Sequence, residues 1–135
     1  MRVSIFILLF PILSFSQSKD YKTFDKAVKY NKRGDVQKSI KYANKALENN
    51  PEWNQPNLLL ASIYANSKQI RLAADHLLRV YDENDPNDVK GVEKIAKLYY
   101  SNGFYNEALF YAQSIISLNI DTYRLNNEID RYVEN

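Results

Sequence analysis

Cysteine is absent from this 135-residue chain. Its absence excludes disulfides and thiolate metal sites, and also the lipoprotein route to a membrane, which requires a Cys directly after the leader. Histidine occurs once, at His76 beside Asp75, so no second imidazole exists to complete a metal site with it. It reads as a surface or groove-lining His. Gly (three) and Pro (four) are scarce, which argues against a collagen-like or disordered chain. Charge of one sign is lacking too: 18 Lys and Arg against 16 Asp and Glu give a net charge of +2, interspersed along the chain. That balance makes no electrostatic case for nucleic acid as a partner. There is no Gly-rich phosphate loop, no Ser set as a nucleophile elbow, and no triad partner for the His. The carboxylate pair Glu128 and Asp130 falls on the polar face of a helical pattern. No cofactor, metal or catalytic residue is expected, and the reading is non-enzymatic.

What is present is 45% hydrophobic, 25% charged and rich in Tyr, with eleven of them. This composition suits one helix-rich domain with thin core layers, because Tyr buries its ring while its hydroxyl stays wet. The first sixteen residues stand apart. Met1-Arg2 is a short positive start, and Val3 to Phe15 is an apolar run of thirteen residues interrupted by Ser4, Pro11 and Ser14. Ser14-Phe15-Ser16 then offers small residues at signal-peptidase spacing, before Gln17. A secretory leader over residues 1–16 is the expectation. An uncleaved anchor is the alternative, but the run falls short of the ~20 residues that span a bilayer. After cleavage no membrane span is expected, and the product is exported to the periplasm or cell envelope.

Internal repetition is the strongest pattern in the rest of the chain. Ala27, Ala61 and Ala96 are separated by 34 and 35 residues, and so are Tyr30, Tyr64 and Tyr99. Ser39, Ala73 and Ala108 share that register, as do Ala43, Leu77 and Ala112, and Ala46, Val80 and Ile115. Each unit reads as two amphipathic helices around a tight turn: Gly34-Asp35 in the first, Ser67-Lys68-Gln69 in the second, Asn102-Gly103 in the third. The middle turn has no Gly, so a non-Gly residue there is expected to take an unusual backbone conformation. The extra residue of the second spacing falls in the loop containing Asp82, Asn84, Asp85 and Asp88. Pro86 and the lack of a Gly break any EF-hand pattern, so the loop reads as a solvated turn. After Asn119 a cap helix is expected, started by Asp121 or Thr122, with Leu125, Ile129, Tyr132 and Val133 on one apolar face. Seven helices follow from this count, three hairpins and a cap.

The columns resemble the tetratricopeptide repeat, a 34-residue helix–turn–helix unit. The third unit matches at Val92, Ile95-Ala96, Tyr99, Ala108 and Ala112. The second reads Asn57, Leu60-Ala61, Tyr64, Ala73 and Leu77, with Pro86 one residue late, and the first reads Thr23, Lys26-Ala27, Tyr30, Ser39, Ala43 and Pro51, with Lys26 where Leu belongs. The resemblance implies an all-α fold, a right-handed α-solenoid over residues 17–135. Its repeats span about 20–52, 53–86 and 87–120, with a cap helix over 121–134. A weaker resemblance is to the amino-terminal segment of large Bacteroidetes envelope proteins that continue into a β-propeller and an OmpA-like peptidoglycan-binding domain. It implies the alternative role, a structural module or truncated form of a longer, peptidoglycan-tethered protein.

The main resemblance further implies a protein- or peptide-binding scaffold whose concave face is lined by the first helices of successive repeats. Carried onto this chain, that lining is Phe24, Val28 and Asn31, then Leu58, Ser62 and Ala65, then Glu93, Lys97 and Tyr100, with Lys90 and Lys94 at the rim. One subgroup of the family clamps a terminal carboxylate. Lys90 and Lys94 match its last part, but Phe24, Val28 and Leu59 replace its Lys, Asn and Asn. The residues present favour an apolar anchor on Phe24, Val28 and Leu58 with polar contacts at Lys97. The other reading is that these side chains pack on one another or on the cap helix.

Overall fold

The computed structural model describes the backbone of residues 10–133 and the side chains of residues 19–119. Among these residues all regular structure is helical, as the periodicity predicts. Six α-helices run in order: α1 (Phe10–Lys32), α2 (Val36–Leu47), α3 (Asn54–Asn66), α4 (Ile70–Leu78), α5 (Val89–Ser101) and α6 (Tyr105–Val133), with a short 3-10 turn at Pro86–Asp88 before α5. No helix of the described residues is long and apolar enough to cross a membrane. The chain divides into two compact units between Leu60 and Ala61, inside α3.

Three turns share one local geometry. Gly34, Lys68 and Gly103 have φ of +77°, +62° and +83°, at the 34- and 35-residue spacing of the sequence columns. Each helix end closes with the same bond pair. The N–H groups of Asp35, Gln69 and Phe104 donate to the carbonyls of Tyr30, Tyr64 and Tyr99 (3.0, 2.9 and 3.0 Å). Those of Gly34, Lys68 and Gly103 donate to Asn31, Ala65 and Tyr100 (3.0, 3.1 and 3.1 Å). This is the Schellman arrangement, which satisfies carbonyls the helix leaves free and requires a left-handed residue. The next helix restarts at once: Ser39, Ala73 and Ala108 donate to Asp35, Gln69 and Phe104, each at 3.0 Å. Lys68 is the non-Gly residue that takes the unusual conformation expected of the middle turn.

In the first unit α1 packs against α2. Ala27, Ala43, Ala46 and Leu47 are buried there, and Ser39 donates its hydroxyl to the Ala27 carbonyl (3.0 Å). Small side chains on both helices allow that backbone approach, and the Ser hydroxyl satisfies its own polar group in doing so. Tyr30 and Tyr42 stack at 5.4 Å with the Lys38 ammonium 5.2 Å from the Tyr30 ring centroid. Asp35 caps α2, its carboxylate accepting from the Lys38 backbone (3.2 Å) and ammonium (2.7 Å). That side-chain bond, ahead of the backbone one, holds the Asp35 carboxyl below the usual carboxylate range. Lys26, standing where the repeat pattern wants Leu, is exposed and lies over the Tyr42 ring. Asn57 is fully buried at a position where the pattern wants a large residue. Its amide donates to the carbonyls of Pro51 (2.7 Å) and Trp53 (3.0 Å), pinning the loop before α3.

The second unit has a core of Ile70, Ala74, Val92, Ile95, Tyr99, Ala108 and Tyr111, supplied by α4, α5 and α6. Tyr99 stacks on Tyr111 at 5.8 Å and meets Phe104 edge-on at 5.9 Å. Arg71 of α4 reaches Glu107 of α6 at 3.1 Å on the surface. The loop carboxylates serve the backbone: Asp82 and Asp85 accept from the N–H of Asn84 and Asn87 (2.8 Å each), and Asp88 from that of Asp82 (2.9 Å). These are local turns of the kind Asp favours.

One expected boundary differs from the backbone observed. α6 continues through Asn119, Asp121 and Thr122 without a break, so the expected cap is the distal half of α6 and six helices stand where seven were expected. No Gly or Pro lies in that stretch, and Asp, Asn and Thr are weak helix formers without being breakers. The expected cleavage point at Ser16-Gln17 lies inside α1. Residues 1–9 of the expected leader fall outside the described residues, and so do the side chains of Leu125, Ile129, Tyr132 and Val133.

Candidate functional site

A concave feature of the second unit lies between α5 and α6, beside their shared turn. It is a cleft of about 470 Å³ lined by Ala96, Lys97 and Tyr100 of α5 and by Tyr105, Ala108, Leu109 and Ala112 of α6. Its floor is small because three Ala occupy it, which lets the two helix backbones approach and leaves room above. Its walls are large and open. Tyr100, Tyr105 and Leu109 are 67%, 62% and 57% exposed, and the two Tyr rings meet edge-on at 5.6 Å. Apolar side chains this accessible and this close together are the kind of patch that marks an interaction surface.

Polarity is confined to one side. Lys97 donates to Glu93, one helical turn back on α5, at 2.7 Å. The side-chain hydrogen bond from Lys97 holds the Glu93 carboxyl below the usual range. The pair is exposed and therefore available for exchange with a ligand's charges.

Of the sequence-derived groove residues, Lys97 and Tyr100 line this cleft, and Glu93 is bonded to Lys97 beside it. Lys90 is exposed on the first turn of α5, and Lys94 sits 5.7 Å from the Tyr81 ring centroid. In the second unit's part of α3, Ser62 is exposed and Ala65 half-buried. The remaining four belong to the first unit. Phe24 is half-buried against Trp53, with ring centroids 5.3 Å apart, and Tyr21 meets Trp53 edge-on at 4.8 Å. Val28 is half-buried, Asn31 exposed, and Leu58 38% exposed.

Ala96, Ala108 and Ala112 belong to the repeat columns, whereas Tyr105 and Leu109 fall outside them. Ala108 is buried as expected, but Ala96 and Ala112 are half-buried and form the cleft floor. A readable signal did exist. Tyr105, Leu109, Ala112 and Ile116 follow i, i+4, i+7 and i+11, a second apolar stripe on α6 beside the core stripe of Ala108, Tyr111 and Ile115.

His76 stacks on Tyr64 at 5.6 Å, and burial, with Arg79 nearby, pushes its pKa down. No three His, Asp or Glu converge as metal ligands among the described residues. The surface can bury apolar area and exchange one ion pair. Comparison with protein-family models and with curated proteins finds no match for this chain.

Proposed function

We propose that the chain is a tetratricopeptide-type scaffold, a right-handed α-solenoid that binds a protein or peptide in the bacterial cell envelope and performs no reaction itself. The observation that carries the reading is the recurrence of one Schellman turn at Gly34, Lys68 and Gly103, in register with the sequence columns. The leader pattern of residues 1–16 supports export. The cleft of Tyr100, Tyr105 and Leu109 supports docking, since a ligand would cover apolar area that is now wet. Completing the burial of those three side chains is worth roughly 1–2 kcal/mol each, before the cost of association. An apolar ligand side chain over Ala96 and Ala112, with an acidic group facing Lys97, fits that surface.

Capture from an envelope extract tests the reading. Wild-type protein is compared with Tyr100→Ala and Leu109→Asp, each checked for helix content by circular dichroism. Partners retained by wild type and lost from both folded variants are expected. Identical partner sets across all three proteins would refute docking at this cleft.

A further inference from the structure

We propose that the α5–α6 cleft is roofed by the distal half of α6, residues 120–133, from a second copy of this chain. The proposal rests on reading the cleft as a docking surface and names its occupant. Helix lengths make the first case. α5 has 13 residues and α6 has 29. At 1.5 Å rise per residue they are about 20 and 43 Å long. The Asn102-Gly103 turn sets them antiparallel, so α6 outruns α5 by roughly four turns.

Continuity makes the second. The backbone of α6 has no break between residues 105 and 133, and one unbroken helix cannot fold back on itself. The chain's own distal half is therefore carried away from its own cleft, which leaves that cleft to be filled by another chain.

Sequence pattern and charge supply the rest. Leu125, Ile129, Tyr132 and Val133 fall on one face of an α-helix by period, which is what an apolar cleft floored by Ala96 and Ala112 accepts. Residues 120–133 carry Asp121, Glu128 and Asp130 against Arg124 and Arg131, a net −1 (two basic minus three acidic). α5 carries Lys90, Lys94 and Lys97 against Glu93, a net +2 (three basic minus one acidic). Reciprocal exchange about a two-fold axis fills both clefts with identical contacts and leaves no open end to propagate.

The absence of Cys makes the test direct. Full-length Leu109→Cys and Ile129→Cys proteins are purified separately, mixed and oxidised, with Asn106→Cys replacing Leu109→Cys as an off-cleft control. The Leu109–Ile129 pair is expected to cross-link on the order of a hundredfold faster than the control pair, because exchange raises the local thiol concentration. Light scattering is expected to give twice the 15.8 kDa chain mass, returning to one chain mass in a helical Leu109→Asp variant. A double Leu109→Cys, Ile129→Cys chain that closes an intramolecular disulfide as a monomer would overturn the proposal in favour of self-capping. A monomer with no preferential cross-link overturns it as well. If Leu109→Asp still abolishes partner capture in that last case, the cleft docks another protein; if capture is unchanged, the docking reading falls too.

Discussion

Replacing Lys68 with Gly is expected to stabilise the protein. Lys68 is the one non-Gly residue at positive φ among those described, at +62°, and it occupies the turn position held by Gly34 and Gly103 in the other two units. An L-residue in the left-handed region pays about 1–2 kcal/mol, because its Cβ crowds the following carbonyl. Glycine removes that cost but adds unfolded-state entropy worth roughly 0.4–1 kcal/mol. The substitution also deletes the contact between the Lys68 ammonium and the Asn102 side chain, which at 3.4 Å on the surface contributes little. The balance is a gain of about 0.5–1 kcal/mol, or a few degrees in Tm for a chain of this size. Urea unfolding followed at 222 nm measures it, with an unchanged slope showing that the unfolded state has not altered. If the two compact units unfold separately, the gain belongs to the transition of residues 61–135. Gly34→Ala and Gly103→Ala are the mirror experiments. A Cβ at either position meets no atom within 4 Å, so only the backbone conformation is penalised and a loss of similar size is expected. Lys68→Asn should fall between Lys and Gly, since Asn tolerates the left-handed region better. A destabilised Lys68→Gly, or mirror variants as stable as wild type, would refute the reasoning.

Gly91→Ala is expected to lose stability even though it lies inside α5, where Ala is the better helix former by ~1 kcal/mol. A Cβ there overlaps the Tyr81 ring, at atoms close to its own backbone, and displaces the ring from Lys94. Overpacking of that kind costs about 1–3 kcal/mol. In a Tyr81→Ala background the sign should reverse, and a double-mutant cycle by urea unfolding reads the coupling. Alkali should unfold the second unit through Tyr111, whose pKa is pushed from 10.0 to about 12 by burial foremost. Because the folded-state pKa is raised, the neutral phenol's contribution is intact below pH 10 and is lost as the pH climbs through about 12. Urea midpoints from pH 9 upward, with ionisation followed at 295 nm, should fall for wild type and fall less steeply for Tyr111→Phe.

The turns were readable because their chemistry is local. Gly at 34 and 103 is what a left-handed C′ position demands, and the repeat register marked a turn without Gly at Ser67-Lys68-Gln69, within which the structure places the left-handed residue at Lys68. Core columns were legible where both helices of a hairpin present small side chains, as at Ser39, Ala73 and Ala108, all buried. The two apolar stripes of α6 were harder to separate, because helical period says which residues share a face and not which face is covered. Tyr105 and Leu109 were missed for that reason. Gly91 was also missed: its role is to admit the Tyr81 ring from ten residues upstream, a close approach that no local pattern encodes.

By itself, then, the sequence determined the helical class, the spacing of the three turns and the residues that close them, since these depend on backbone conformation and on contacts a few residues apart. Tertiary structure decided which members of a column are fully buried. Ala27 and Ala43 are buried in the first unit, while their counterparts Ala96 and Ala112 floor an open cleft. It also decided that the expected cap is the far half of α6. Asp121 and Thr122 permit a helix start without compelling one, and only the path of the chain chooses between starting a helix and continuing one.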